Sequence, residues 1–367
     1  TYYLLNFFHN CYLVLISFAV FFGSTWVGFA ARPFEGQTLS VSTWSGPFAK
    51  HYTDAIVKPF EEWSGARVTV VPGWAELVTK IIASPPDQPP YDVLLGEGRI
   101  YTQARGNNLI LPLNLNNIPN HKDIWPALMR LEGYKEGYGV PYQGAPVALV
   151  YMTKKVPFTP TSWQDFTRPE VKGKVALDRA WWLENFYLAA YIMGQKKITG
   201  KWIVDNLDKI FEVIKTKIAP NVKIWFKGGA DLYAFMEQGE VWMAPFYTGT
   251  AYQKKTAGME LNFIFPKEGF NGYYDYLMVV RGTKKKEMAE AFINFALRPE
   301  IQSDFVRRQF NSVSNRYAKV PEEVRWFIMD TNEKYENFSV FDWGPIEPLY
   351  KQIDERWNKE ILPLAGK

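Results

Sequence analysis

The sequence predicts an α/β protein built as two lobes. From Thr38 onward strand-like segments alternate with amphipathic helical ones, the pattern of parallel βαβ units. The 367 residues make about two domains on the usual prior of ~100–200 residues each. Around 137–152 two apolar segments meet at Pro141 and Gly144-Ala145-Pro146, as expected where a strand leaves one lobe for another.

The elements follow in order. "TLSVST" (38–43) alternates like a strand, and "AKHYTDAIVKPFEEWSG" reads as an amphipathic helix ending near Gly65. "ARVTVV" is a second strand, "WAELVTKIIAS" a second helix, and "PPDQPPYDVLLG" a loop into a short buried strand. After the 137–152 break, Ser162 and Asp165 have capping-box spacing. Next come the strand "KVALD", the helix "WWLENFYLAAYIMG" and a long helix over 200–217. "GADLYAFMEQGEVWMAPFYTGTAYQKK" reads helix, strand, helix; "NGYYDYLMV" (271–279) is a return strand. "KKEMAEAFINFALRPEIQSDFV" gives two helices broken at Pro299, and a last helix lies in "GPIEPLYKQIDERWNKEIL". The chain then crosses between lobes near 144–147, 273–276 and 311–315. One lobe is expected from 37–145 plus 276–312, the other from 146–275 plus 313–363.

The first thirty residues contain no Lys, Arg, Asp or Glu, and the apolar run 11–22 has the length of a signal-peptide core followed by small residues. Residues 1–30 are therefore expected to be a cleaved export signal, although no basic stretch precedes the run. The alternative is a retained membrane anchor. Cys11, the single cysteine, lies inside that run, so disulfide and thiolate chemistry are not expected downstream. This suits a periplasmic protein large enough to fold without staples. A net charge of +4, with Lys and Arg scattered among the acids, gives no nucleic-acid footprint. Lys284-Lys285-Lys286 reads as a solvated turn.

Enzyme motifs do not emerge. His51 and His121 read as surface residues, and no nucleophile–His–carboxylate set, G-x-S-x-G, H-E-x-x-H, P-loop or G-x-G-x-x-G occurs. A hydrolase reading would need Glu97, Asp178 and Asp275 to converge. No cofactor or metal is expected. What stands out is a set of strand ends running into Gly-containing turns: "STWSGPF", "YDVLLGEGRIY", "VPYQGAP", "VALDRAWWLEN", "MAPFYTGTAY" and "NGYYDYLMV". Their rings and acids suit an organic cation, because ring faces attract the charge and each carboxylate takes one ammonium.

On these stretches, with "LILPLN", "PTSWQDFTRPEVKGKVAL" and "AEAFINFALRPEIQSDF", the chain from Thr38 to Leu362 resembles the periplasmic solute-binding proteins of ABC importers, specifically the spermidine/putrescine-binding group. The resemblance implies a two-lobed periplasmic-binding-protein fold (type II, Venus-flytrap) with its ligand cleft between lobes. It also implies a monomer that hands a cationic organic solute to an inner-membrane ABC permease. The family's first cleft loop carries Trp, a hydroxyl residue and Glu; Trp44 and Ser45 fit, and Gly46 replaces the acid. After "YDV", Glu97 and Arg99 stand where the family has a hydroxyl residue and a tyrosine. Tyr247, before Thr248, matches a family tryptophan, and Tyr273-Tyr274-Asp275 matches its Trp-x-Asp. Asp178 and Glu184 lie where the family places acids.

The expected ligand contacts are therefore Trp44, Ser45, Glu97, Gln143, Asp178, Trp181, Tyr247, Thr248, Tyr273 and Asp275. Glu97 and Asp178 read equally well as helix caps, and Trp181 as core. In a strand, Tyr273 and Asp275 share one face while Tyr274 and Tyr276 pack on the other, which separates the phenols that a ferric-iron site would need. A sugar is a further alternative. Arg99 and Arg179, if turned inward, would favour a ligand that also carries a carboxylate or phosphonate.

Overall fold

The computed structural model describes residues 32–364, so the export-signal reading of 1–30 lies outside it. The strands are β1 (Thr38–Trp44), β2 (Arg67–Gly73), β3 (Val93–Gly96), β4 (Ile110–Leu111), β5 (Val140–Met152) and β6 (Val175–Asp178). They continue with β7 (Val222–Phe226), β8 (Met243–Tyr247), β9 (Leu261–Ile264), β10 (Asn271–Val280), β11 (Ser312–Val313) and β12 (Ser339–Val340). The main path runs β2-β1-β3-β10-β5-β8-β6-β7.

Most elements form where the pattern places them. The chain is helical from 47 to 64, starting at Pro47, whose missing N–H costs nothing there. It stops at Gly65, whose φ of 74° is the left-handed conformation that favours glycine. β1 pairs in parallel with β2 and β3, completing the expected βαβ units. The Ser162–Asp165 capping box forms at the start of Trp163–Thr167. The expected helix over 200–217 is interrupted: Gly200–Asp205 and Leu207–Val213 are separated by Asn206, whose amide bonds back to the Trp202 carbonyl at 2.9 Å. The two apolar segments of 137–152 are one strand.

That strand, β5, is the pivot. Residues 140–146 pair with β10, and 147–152 pair with β8 and β9. Asp275 lies opposite Gln143 while Tyr276 lies opposite Pro141, so Tyr142 is the extra residue of a bulge. β11 adds Ser312 opposite Gly144 and Val313 opposite Gln143. Buried side chains gather accordingly. One core is drawn from 39–142 and 276–313, and two adjoining ones from 147–263 and 324–361. A small cluster of Leu128, Tyr274, Met329, Tyr335 and Phe338 sits under the crossing strands.

The crossing is tight. A Cβ on Gly144 would lie 2.3 Å from the Tyr273 carbonyl oxygen and 2.4 Å from a Tyr274 ring carbon. Gly144→Val is expected to destabilise the protein by about 1–3 kcal/mol, the usual cost of overpacking. Urea unfolding reads this as a lower midpoint; an unchanged midpoint would mean that the strands part easily.

Candidate ligand site

Three acids of the site stand at the end of a strand or the start of a helix, and the fourth, Asp275, stands in the middle of β10 beside the β5 bulge. Asp275 has no exposed surface. Its Oδ2 accepts from Trp44 Nε1 at 2.8 Å and from Gln143 Nε2, while Oδ1 has no partner among the described residues. Gln143 Oε1 accepts from Asn311 Nδ2 at 2.7 Å, and the same Asn311 amide lies 3.1 Å from the Tyr273 hydroxyl. Residues from β1, β5, β10 and the segment before β11 thus converge on one carboxylate.

A second group faces it. Tyr247, at the end of β8, packs edge-on against Tyr273 with ring centroids 4.9 Å apart. Its hydroxyl donates to Glu184 Oε1. Asp178 ends β6, and its Oδ1 accepts the backbone N–H groups of Ala180 at 2.7 Å and Trp181 at 2.8 Å. Glu97 caps Gly98–Gly106, accepting from Arg99 N at 3.0 Å and Ile100 N at 3.3 Å. The capping reading therefore holds for Glu97, whereas Asp178 closes the turn ahead of Trp182–Ile192, whose N-cap Trp181 receives no side-chain cap bond. The amides engage both Glu97 oxygens.

The four acids share a charge problem. Burial pushes Glu97 up to about 7 against the pull of the Arg99 amide and charge. Burial likewise takes Asp178 to about 6, against its two backbone amides. Glu184 is held well above the usual carboxyl range by burial, then by the charges of Asp178 and Glu97, with the Tyr247 hydroxyl opposing. Asp275 is raised well above its usual value by burial, with the Trp44 and Gln143 hydrogen bonds opposing and the Glu97 charge adding. Among the described residues none of the four forms an ion pair within 4.0 Å; Arg99 pairs instead with Glu347.

The remaining expected residues are placed less decisively. Ser45 is half-buried and bonds through its backbone to the Gly73 carbonyl. Thr248 is buried with an unpartnered hydroxyl. Trp181 is half-buried and meets the buried Trp343 edge-on at 6.4 Å, while Trp182 is core. Tyr274 bonds to the Tyr335 hydroxyl at 3.0 Å, away from the Tyr273–Asn311 contact, so the two phenols do not share one site. Arg179 is exposed. Residues that sequence reasoning missed are Asn311, which bridges Gln143 and Tyr273, and the exposed Trp74, stacked on Trp44 at 5.8 Å. Neither carries a local signal, since each acts through a distant partner.

The comparisons agree on family and fold. The family model for "bacterial extracellular solute-binding protein" matches residues 55–321. A spermidine/putrescine-binding periplasmic protein of Salmonella typhimurium is 28% identical over 217 residues, covering 58% of this chain. The match spans only 60% of that relative's length. A gamma-aminobutyric acid-binding protein of Pseudomonas aeruginosa is 24% identical over 279 residues, 75% of this chain and 76% of its own. The solved spermidine/putrescine ABC transporter substrate-binding protein of Streptococcus pneumoniae superposes with a TM-score of 0.71 at 22% identity. It covers 88% of this chain and 100% of its own. The fold is the two-lobed type II arrangement.

The raised carboxyls have a pH consequence. Unfolded, such groups ionise near about 4. Folded, they hold their protons to higher pH, with Asp178 at about 6 and Glu97 at about 7. Their contribution is full below the unfolded value and is lost as pH rises through the folded values. The melting temperature of ligand-stripped protein is expected to fall between pH 5 and 8 by thermal unfolding. The fall should be smaller in Glu184→Gln; an equal fall in both would remove Glu184 as a source.

Proposed function

The chain belongs to the bacterial extracellular solute-binding proteins, and we propose that it is an exported receptor for a small organic amine, delivered to an ABC permease. One observation carries the reading. Asp275 is buried with one oxygen unpartnered, in a set of four acids that no described cation pairs with. A buried charge is stable only when paired, so the missing partner is a cation supplied by the solute. Trp44, Tyr247 and Tyr273 are the walls that hold its methylenes, and Tyr247 also orients Glu184. Relatives named for spermidine, putrescine and gamma-aminobutyric acid bear the same chemistry, an ammonium on a short chain.

The bodies that close are 37–145 with 276–312 and 146–275 with 313–363, acting as a monomer in the periplasm. Closure makes no bond. A solute that touches Asp275 and Tyr247 on one body and Trp44 on the other has contacts only the closed form offers, and its differential affinity shifts the population.

The test is Asp275→Asn, which keeps an acceptor for Trp44 and removes the charge. Calorimetric titration with putrescine and spermidine is expected to show affinity lower by more than about ten-fold. The melting temperature of ligand-free protein should change little, because burial already favours the uncharged form of Asp275 there. Unchanged amine affinity would overturn the reading, as would tight binding of a disaccharide in place of amines.

A further inference from the structure

Among the described residues, Arg99 is a cation that the fold brings beside the acid set, where its charge acts on Glu97. It stands two residues after Glu97, at the start of Gly98–Gly106, a helix whose Ile100, Tyr101 and Ala104 belong to the first core. Its guanidinium reaches the other body. The carbon lies 3.7 Å from the ring centre of Tyr350, 5.7 Å from Trp343 and 6.0 Å from Trp181. Only 12% of the side chain is exposed.

The bonding of this group is incomplete. Among the described residues its ion-pair partner, Glu347 Oε2, is 3.8 Å from Nε, beyond hydrogen-bond reach, and both atoms are buried without a hydrogen-bond partner. The other Glu347 oxygen accepts from Gln103 Nε2 at 2.9 Å. No guanidinium nitrogen of Arg99 makes a hydrogen bond to a described residue. An arginine offers five donors in a planar fork that matches a carboxylate. Stacking on Tyr350 fixes the plane of that fork and leaves its donors free. Burying such a group without hydrogen bonds is costly, as it is for Asp275.

We infer that Arg99 is a specificity-determining residue that takes an anionic group of the same solute whose ammonium Asp275 takes. The solute class is then a short-chain amino acid, with its amine and its carboxylate at opposite ends, rather than a polyamine. Glu347 and the three rings position Arg99 and do not consume its fork. This rests on the amine reading of Asp275 and adds the second charge.

The test compares 4-aminobutanoate and 5-aminopentanoate with their diamine counterparts butane-1,4-diamine and pentane-1,5-diamine, by calorimetry on the full protein. The amino acids are expected to bind wild type at least about ten-fold more tightly than the diamines. Arg99→Met should cut that ratio by about ten-fold or more, and Arg99→Lys, which keeps the charge without the fork, should fall between. Diamines binding wild type more tightly would overturn the inference and leave the amine reading standing. So would an Arg99→Met loss equal for both ligand classes, which would make Arg99 only a contact between bodies. If neither class binds wild type, the amine reading itself fails. The wild-type ratio decides the matter even if Arg99→Met does not fold.

Discussion

The structure is organised around a carboxylate that the protein buries and only half satisfies. Among the described residues Asp275 Oδ2 has two donors and Oδ1 has none. Holding it there takes the end of β1, the middle of β10, the bulge on β5, and Asn311 beside β11. These are the strands that carry the chain past the junction of the two cores. The residue most in need of a partner therefore sits where relative motion of the bodies would be felt, and a group that completes it also fixes the geometry of the crossing.

The rest of the site amplifies this constraint. Glu97 and Asp178 are restrained by backbone amides, and Glu184 by the Tyr247 hydroxyl, yet burial holds all four acids above their ordinary ionisation range, with repulsion from neighbouring acids adding at Glu184 and Asp275. Such a set resists closing over itself and accepts closing over a cation. A ligand that supplies the charge removes repulsion on both bodies together, which is the differential affinity that population shift requires. The aromatic walls add area and orientation without adding charge.

Much of this was legible in the sequence, and the limits are physical. The period of two along 271–279 separates Tyr273 and Asp275 from Tyr274 and Tyr276, and the structure keeps that separation. The spacing of Glu97 before its helix allowed the cap that forms. Gly65 marked a helix end because only its backbone tolerates the turn there. What the sequence left open is long range. Trp44 donates to a carboxylate 231 residues away, and no local pattern encodes that pairing. Arg99 meets Tyr350 only because the C-terminal segment returns to the second core beside the first helix after β3. The long helix over 200–217 failed for a local reason, a single Asn whose amide finds a carbonyl inside its own turn.

The most direct measurement is a crystal structure of the protein purified with its solute, read at one atom. An ammonium nitrogen within about 3 Å of Asp275 Oδ1, with Trp44 still bonded to Oδ2, is the expected result. A sugar hydroxyl or a metal ion at that position, or Oδ1 turned onto a protein donor with the solute elsewhere, would contradict the claim that Asp275 is buried for a cation.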